Sequence, residues 1–203
     1  MQKYIKVVSR IIEAEAVAIS NIPITDDFGK ALNLIHKVHR KKSKLVVSGA
    51  GKSGHVALSI AASFSATGTP SVFLHPYDAQ HGDSGIVQPN DVLLLVSNSG
   101  KTKETIQLCK LVKKLNYQIG IIVITGNPDS ELGKLADVVI STGSPEEVCP
   151  LKLAPTSSTT AMKVIGDVLL VLMMKKIKFT SSDYAKRHYG GQLGLESRKR
   201  RSR

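Results

Sequence analysis

Short apolar runs alternate along this chain with segments in which apolar residues recur at helical spacing. The runs rich in Val, Ile and Leu are typical of buried parallel strands, at Leu45–Val47, Ser71–Leu74, Val92–Val96, Gly120–Ile124 and Asp137–Ile140. The helical spacing predicts helices at Ile5–Ile19, Thr25–His39, Ser53–Ser65, Lys101–Leu115, Ser130–Leu135, Thr156–Lys176 and Ser181–His188. This alternation predicts an α/β fold, with an open, mostly parallel five-stranded sheet flanked by helices on both faces.

The 203 residues suit a single domain with one core. We expect this domain at residues 1–195, with residues 1–42 as N-terminal helices, and a basic, disordered tail at residues 196–203. The tail holds five basic groups and one acid of a chain whose net charge is +12. The remaining excess can attract an anionic substrate, whereas a basic terminal run is more often solvated, so we expect no nucleic-acid partner.

Membrane, secreted and disulfide-rich classes of protein are disfavoured. The longest apolar stretch, Val164–Met174, is too short to cross a bilayer, and the N-terminus lacks the apolar core of a signal peptide. We therefore expect a cytoplasmic protein with no membrane partner. Cys109 and Cys149 lie in different segments, which predicts free, buried thiols rather than a disulfide or a zinc site.

The first predicted strand is followed by a glycine-rich turn, Gly49–Gly54, that opens a helix. As a dinucleotide fingerprint the turn has the right glycines, but the next strand ends in Leu74-His75, with no acid at that point to bind a ribose. As a P-loop it lacks the earlier glycine, because Val46 stands there. We therefore expect neither a nicotinamide cofactor nor ATP. The glycines and helix-start amides can still bind an anion, with a mere tight turn as the structural alternative.

Two further segments place hydroxyl groups at predicted helix starts. Ser97–Thr102 follows a strand and holds three hydroxyls in six residues, and Thr156–Thr160 holds five in a row. Ligands of open α/β sheets bind at the carboxyl ends of the strands, so the hydroxyls of Ser97–Thr102 are candidates to surround a phosphate. Those of Thr156–Thr160 are candidates for the substrate site. Helix capping is the alternative, although it needs only one hydroxyl.

The long loop between the second and third strands carries His75 and His81 near two acids. Long loops in compact domains are often functional, and these residue types can bind a metal. Their spacing does not establish a metal site, and we assign no metal ligand.

Taken together, these segments resemble the SIS (sugar isomerase) family, and most closely the isomerase domain of arabinose 5-phosphate isomerases. The resemblance runs from about Leu45 to Gly194. The motifs that carry it are Gly51-Lys52-Ser53-Gly54-His55, Thr67-Gly68-Thr69-Pro70, His81-Gly82-Asp83, Ser97-Asn98-Ser99-Gly100, Cys149-Pro150-Leu151 and Leu153–Thr160. It implies a cofactor-free aldose–ketose isomerase that converts D-ribulose 5-phosphate to D-arabinose 5-phosphate. Its product would feed the synthesis of Kdo, a sugar acid of lipopolysaccharide and capsule.

The resemblance also implies roles for individual residues. The residues matched or assigned to substrate binding are Gly51, Ser53, Ser97, Asn98, Ser99, Thr102, Ser157, Ser158 and Thr159. The residues matched to catalysis are Lys52, Glu104, Glu147, His188 and His81. Isomerisation through an enediol needs a base, an acid and charge stabilisation, for which we favour Glu147 or His188 as the base and Lys52 as the stabilising cation.

Members of the family form tetramers whose sites share residues across subunits, which implies a homo-oligomer and would let His188 reach a neighbour's site. The family usually continues into two regulatory CBS domains, whereas Gly190–Gly194 runs here into the basic tail, so regulation through CBS domains is not expected. Tyr189, Lys101 and Asp78 also depart from the usual pattern. Two alternatives stay open: a non-catalytic module that senses a sugar phosphate, and an isomerase of another sugar phosphate.

Overall fold

The computed structural model describes residues 2–115 and 119–201. One sheet contains β1 (Leu45–Gly49), β2 (Ser71–Phe73), β3 (Val92–Val96), β4 (Gly120–Thr125) and β5 (Val138–Ser141), in the order β2-β1-β3-β4-β5. All neighbouring strands are parallel. The predicted fold class is confirmed, and each predicted strand agrees with the structure to within two residues.

The helices of the described residues cover the sheet and extend beyond it. They are α1 (Gln2–Ser20), α2 (Asp27–Lys41), α3 (Gly51–Ala66), α4 (Lys103–Lys114), α5 (Glu131–Lys134), α6 (Ser157–Lys176), α7 (Ser181–Arg187) and α8 (Gly191–Arg201). Two 3₁₀ turns, Asp78–His81 and Asp83–Ile86, occupy the long loop after β2.

Alternate strand residues face two separate apolar layers. Val47 and Leu94 pack in the layer that contains α2, α3 and α6, whereas Val46 and Leu93 pack in the layer that contains α4 and α5. Cys109 lies in the second layer, where burial raises the pKa of its thiol to about 11. The prediction of a buried free thiol is confirmed there, since a thiol shielded in this way is unreactive.

Helix α6 is the one described helix that is long and apolar enough to cross a membrane by those measures alone. In this fold it is a core helix. Met162, Ile165 and Leu169 are fully buried, and the helix packs against α1, α2 and α3. Its apolar composition is therefore explained by the packing of an α/β domain.

The C-terminal segment differs from our expectation of a disordered tail. Helix α8 continues through residues 196–201, and the last two residues lie outside the described part. The start of α8 packs closely on the end of α7, because a Cβ on Gly194 would lie 2.3 Å from the backbone oxygen of His188, the residue after α7. Ser197 is buried, and its hydroxyl donates to the Gly194 carbonyl at 2.9 Å.

A buried carboxylate links the segments that precede β1 and β3 at the amino end of the sheet. Asp91, directly before β3, is 2% exposed. Its oxygens accept from the backbone N–H of Lys44 at 3.0 Å, from the Lys44 ammonium at 2.7 Å and from the Gln88 N–H at 2.8 Å. Because Lys44 directly precedes β1, this cluster fixes the register of the two central strands.

Replacing Asp91 with Asn should lower the free energy of unfolding by roughly 2–4 kcal/mol. A neutral amide would take the place of the negative carboxylate that now accepts from three donors. Urea unfolding measures the loss, and the exposed Asp129→Asn is the matched control. A loss no larger than that of the control would mean that the cluster adds no net stability.

Candidate functional site

The order of the strands creates a crevice at the carboxyl ends of β1 and β3. These strands are neighbours, but the chain leaves β1 into α3 on one face and leaves β3 into α4 on the other. The two turns therefore diverge and leave the strand ends open between them. This is the switch point at which open α/β sheets bind their ligands.

The turn after β1 is tight because glycine permits close backbone contacts. A Cβ on Gly49 would lie 2.8 Å from the Val96 carbonyl oxygen, and one on Gly54 would lie 2.6 Å from that of Gly49. Gly51 has a φ of +56°. The turn leaves Lys52 exposed at the crevice and directs the hydroxyl of Ser53 to within 3.8 Å of Met162 Sδ, on α6.

The turn after β3 is hydrogen-bonded to the end of β4 and the turn that follows it. The Asn98 carbonyl accepts from Gly126 N at 3.0 Å and from Thr125 Oγ1 at 3.1 Å. Gly100 has a φ of +62°, and a Cβ there would lie 1.9 Å from the hydroxyl of Ser130. No larger residue fits this position without rearrangement.

The hydroxyls of the same turn bond to one another or to the backbone of the turn. Ser97 Oγ and Thr102 Oγ1 lie 3.3 Å apart, and Ser99 Oγ accepts from the Lys101 N–H at 3.2 Å. Thr102 stands at the cap of α4, but its side chain makes no capping bond. The capping alternative is thus not realised at Thr102, and Glu104 follows in the first turn of α4, half-buried.

The start of α6 is organised around Glu147. Its Oε2 accepts from Thr156 N at 2.7 Å, from Thr156 Oγ1 at 2.9 Å and from Ser158 N at 3.3 Å. Two neighbouring hydroxyls also have partners within the chain, because Ser157 contacts Glu15 and Thr159 donates to the Thr156 carbonyl. Glu147 therefore caps α6, a structural task that its position in the sequence does not indicate.

These contacts set the charge of Glu147. Partial burial would by itself raise its pKa, but the hydrogen bonds from Ser158 and Thr156 outweigh burial, and the pKa lies below the ordinary value of 4.5. The carboxyl group is therefore ionised at neutral pH. In the same loop, Cys149 is half-buried rather than buried as expected, and the backbone N–H groups of Leu153 and Ala154 contact its sulfur at 3.2 and 3.1 Å.

A cleft of about 790 Å³ lies between α1 and the loop after β5. Residues that line it include Arg10, Glu147, Cys149 and Lys152. The crevice itself is open in the single chain, since Lys52, Asn98 and Ser99 are exposed.

The two candidate histidines, His81 and His188, lie on different elements of the chain. His81 is exposed in the loop after β2, with its ring 4.7 Å from that of Tyr77. His188 stacks on Tyr184 at 3.7 Å, and the adjacent Arg187 lies near Gly68, before β2 at the amino end of the sheet. In the described part of the chain, no group of three or more His, Cys, Asp or Glu side chains could hold a metal.

Fold and crevice define a doubly wound α/β domain with a switch-point site suited to an anion. Residues 38–172 match the SIS domain family, and the chain belongs to that family. Over 183 residues it is 45% identical to the arabinose 5-phosphate isomerase KdsD of Yersinia pestis, covering 90% of this chain and 54% of that protein. The corresponding protein of Pseudomonas aeruginosa is 46% identical, with 90% and 55% covered. The chain thus spans about half the length of these relatives.

Two solved structures share the fold over nearly their whole length. A Bacteroides fragilis protein, proposed to be a phosphosugar isomerase involved in capsule formation, has a TM-score of 0.91 and 55% identity, with 93% of this chain and 98% of that chain covered. An Escherichia coli CFT073 protein in complex with arabinose 5-phosphate has a TM-score of 0.83 and 33% identity, with 92% and 98% covered.

The capping role of Glu147 predicts how stability depends on pH. Its pKa is lowered by folding, so its contribution is complete above the ordinary value of 4.5 and is lost as the pH falls through the folded value. Unfolding of the wild type and of Glu147→Gln should therefore differ at neutral pH and converge in acid. The neighbouring Glu146, paired with exposed Lys152, is the control, and Glu146→Gln should change little at any pH. A gap independent of pH would contradict the capping role.

Proposed function

We propose that this chain is an aldose–ketose isomerase that converts D-ribulose 5-phosphate to D-arabinose 5-phosphate through an enediol. The observation that carries the proposal is the switch-point crevice, whose two turns supply hydroxyl groups and the exposed Lys52. Glu147 would face this crevice from the start of α6, the helix whose Met162 Sδ lies 3.8 Å from Ser53 Oγ. Relatives called arabinose 5-phosphate isomerase match the chain closely, and a protein of the same fold was solved with arabinose 5-phosphate. The activity for which the longer relatives are named supports the proposal.

The phosphate would be held by Ser53, Ser97, Ser99 and Thr102, with the amides that open α3 and α4. These donors are neutral, and the helix starts favour a negative charge. Binding the phosphate away from the reacting carbons would position the sugar and contribute to the rate. Gly51, Asn98 and the Ser157–Thr159 segment would shape the remaining wall of the crevice.

The chemistry would require proton transfer between the first two carbons of the open-chain sugar. Glu147 is ionised, and Oε2 is committed to capping α6, so Oε1 would take the proton from the substrate carbon and return it to the neighbouring one. Lys52 would stabilise the negative charge of the enediolate, while Glu104 or His81 would move the hydroxyl proton and assist ring opening.

His188 would act in the site of a second copy, because within its own chain it lies near the amino end of the sheet. An assembly is also indicated by α1, whose apolar side chains are unusually exposed: Tyr4 is 77%, Ile5 63% and Ile12 63% exposed. We propose that α1 forms a subunit interface in a homo-oligomer, with a tetramer as the expected size. The enzyme would act in the cytoplasm and supply arabinose 5-phosphate for the synthesis of Kdo, a component of lipopolysaccharide or capsule.

Purified protein should convert ribulose 5-phosphate to arabinose 5-phosphate without added nucleotide, nicotinamide or metal, as identified by chromatography of the sugar product. Glu147→Gln should abolish turnover and retain substrate binding, because it removes the titratable group and keeps the shape. Ser99→Ala should instead weaken binding by about 1–2 kcal/mol, the contribution of one phosphate hydrogen bond.

Tight binding of the sugar phosphate without turnover, by the wild type, would favour the non-catalytic sensor. Turnover of a different pentose or hexose phosphate would keep the reaction class and change the substrate. If Ser99→Ala abolished turnover and Glu147→Gln only weakened binding, the assignment of chemistry and anchoring would be reversed.

Mixed oligomers test the placement of His188. When Glu147→Gln and His188→Ala chains, each inactive alone, are refolded together, about a quarter of the sites should combine an intact Glu147 with an intact His188 from another copy. Activity should then return. A mixture of Glu147→Gln and Lys52→Ala is the control and should stay inactive, because both residues border one chain's crevice. No recovery in the first mixture would place His188 within its own chain's site.

A further inference from the structure

Glu15 is a carboxylate that neither the sequence pattern nor the proposed mechanism explains. It lies on α1, and its Oε1 accepts from the hydroxyl of Ser157 at 3.3 Å. Its Oε2 is shielded from solvent and has no hydrogen-bond partner among the described residues. Ser157, the first residue of α6, is itself fully buried.

A buried carboxylate oxygen without a partner is costly. Removing it from water loses strong hydrogen bonds, which only a donor or a favourable field inside the protein can replace. The nearby start of α6 supplies such a field, because the N–H groups of its first turn give that end a partial positive charge. Glu15 is thus held against α6 by one hydroxyl and by the polarity of the helix end.

The contact partner of Glu15 lies inside the group that holds Glu147. Ser157 stands between Thr156 and Ser158, whose backbone N–H groups both donate to Glu147 Oε2. Two carboxylates therefore accept hydrogen bonds from the same helical turn. Glu147 does so from the loop after β5 and Glu15 from α1. A rotation of this turn would break both sets of bonds together.

We infer that Glu15 is a positioning residue, which fixes the first turn of α6 through Ser157 and thereby holds Glu147 at the crevice. Among the described elements α1 packs chiefly on α6, so Glu15 is also the polar link between the exposed apolar face of α1 and the site. The kinetic consequence rests on the proposed isomerase function. The structural consequence, the geometry around Glu147, does not.

The first measurement does not need activity. Carbon-13 NMR of glutamate-labelled protein, with Glu147→Gln to assign the signal, gives the pKa of Glu147 in each variant. Glu15→Ala and Ser157→Ala should each move that pKa upward toward its ordinary value, since a loosened turn donates weaker hydrogen bonds. Glu13→Ala should not, because Glu13 lies on the same helix but is exposed, and among the described residues it accepts a hydrogen bond only from Ser9, at 3.0 Å.

The second measurement is kinetic. Glu15→Ala and Ser157→Ala should each lower kcat about tenfold or more with KM changed less than about threefold, as expected when a reacting group is misplaced. The double variant should be no worse than the worse single variant, because both break one link. Glu15→Gln, which keeps the shape and one acceptor, should retain more activity than Glu15→Ala and serves if the alanine variant unfolds.

The NMR and kinetic measurements distinguish failure of the proposed function from failure of the inference about Glu15. If the wild type has no isomerase activity, the proposed function fails, and the pKa of Glu147 still decides the inference about Glu15. The inference is overturned if that pKa is unchanged in Glu15→Ala and Ser157→Ala. It is equally overturned if Glu15→Ala lowers stability or assembly while kcat is unaffected, since Glu15 would then only tie α1 to α6.

Discussion

The close approach of β1 and β3 is the constraint on which the rest of the molecule depends. A Cβ on Gly49 would lie 2.8 Å from the Val96 carbonyl oxygen, so only glycine lets the first turn bend into α3 beside the end of β3. Since α3 and α4 leave toward opposite faces, the strand ends stay uncovered, and both turns face the same crevice. The chemistry proposed for the chain is located there because of this backbone geometry.

The sequence predicts the fold well because burial on both faces makes each strand a compact apolar run. The prediction differs from the structure at the ends of single elements and at the end of the chain. Strand β5 begins at Val138 and not at Asp137, because the Asp137 carboxylate accepts the Ile121 N–H at 2.7 Å and fastens the loop to β4. The polar and basic residues at the end of the chain predict disorder, whereas residues 191–201 form helix α8.

The candidate site could be predicted in part. The hydroxyls of Ser97 and Ser99 are revealed by their position after a strand, which the topology brings to the crevice. The bond between Glu147 and Thr156 that caps α6 joins residues 9 positions apart, and the contact of Glu15 with Ser157 joins residues 142 positions apart. No periodicity marks such pairs. The location of His188 depends on how α7 packs, and the residues around His188 in the sequence do not reveal that packing.

The steric closure around Gly100 has a consequence for the thermodynamics of ligand capture. The turn after β3 is held in one shape before any ligand arrives, by Ser130 above Gly100 and by the bonds to the Asn98 carbonyl. Little backbone entropy of this turn remains to be lost when an anion enters, which lowers one part of the free-energy cost of binding. Association at this half of the crevice would then require no rearrangement of the turn.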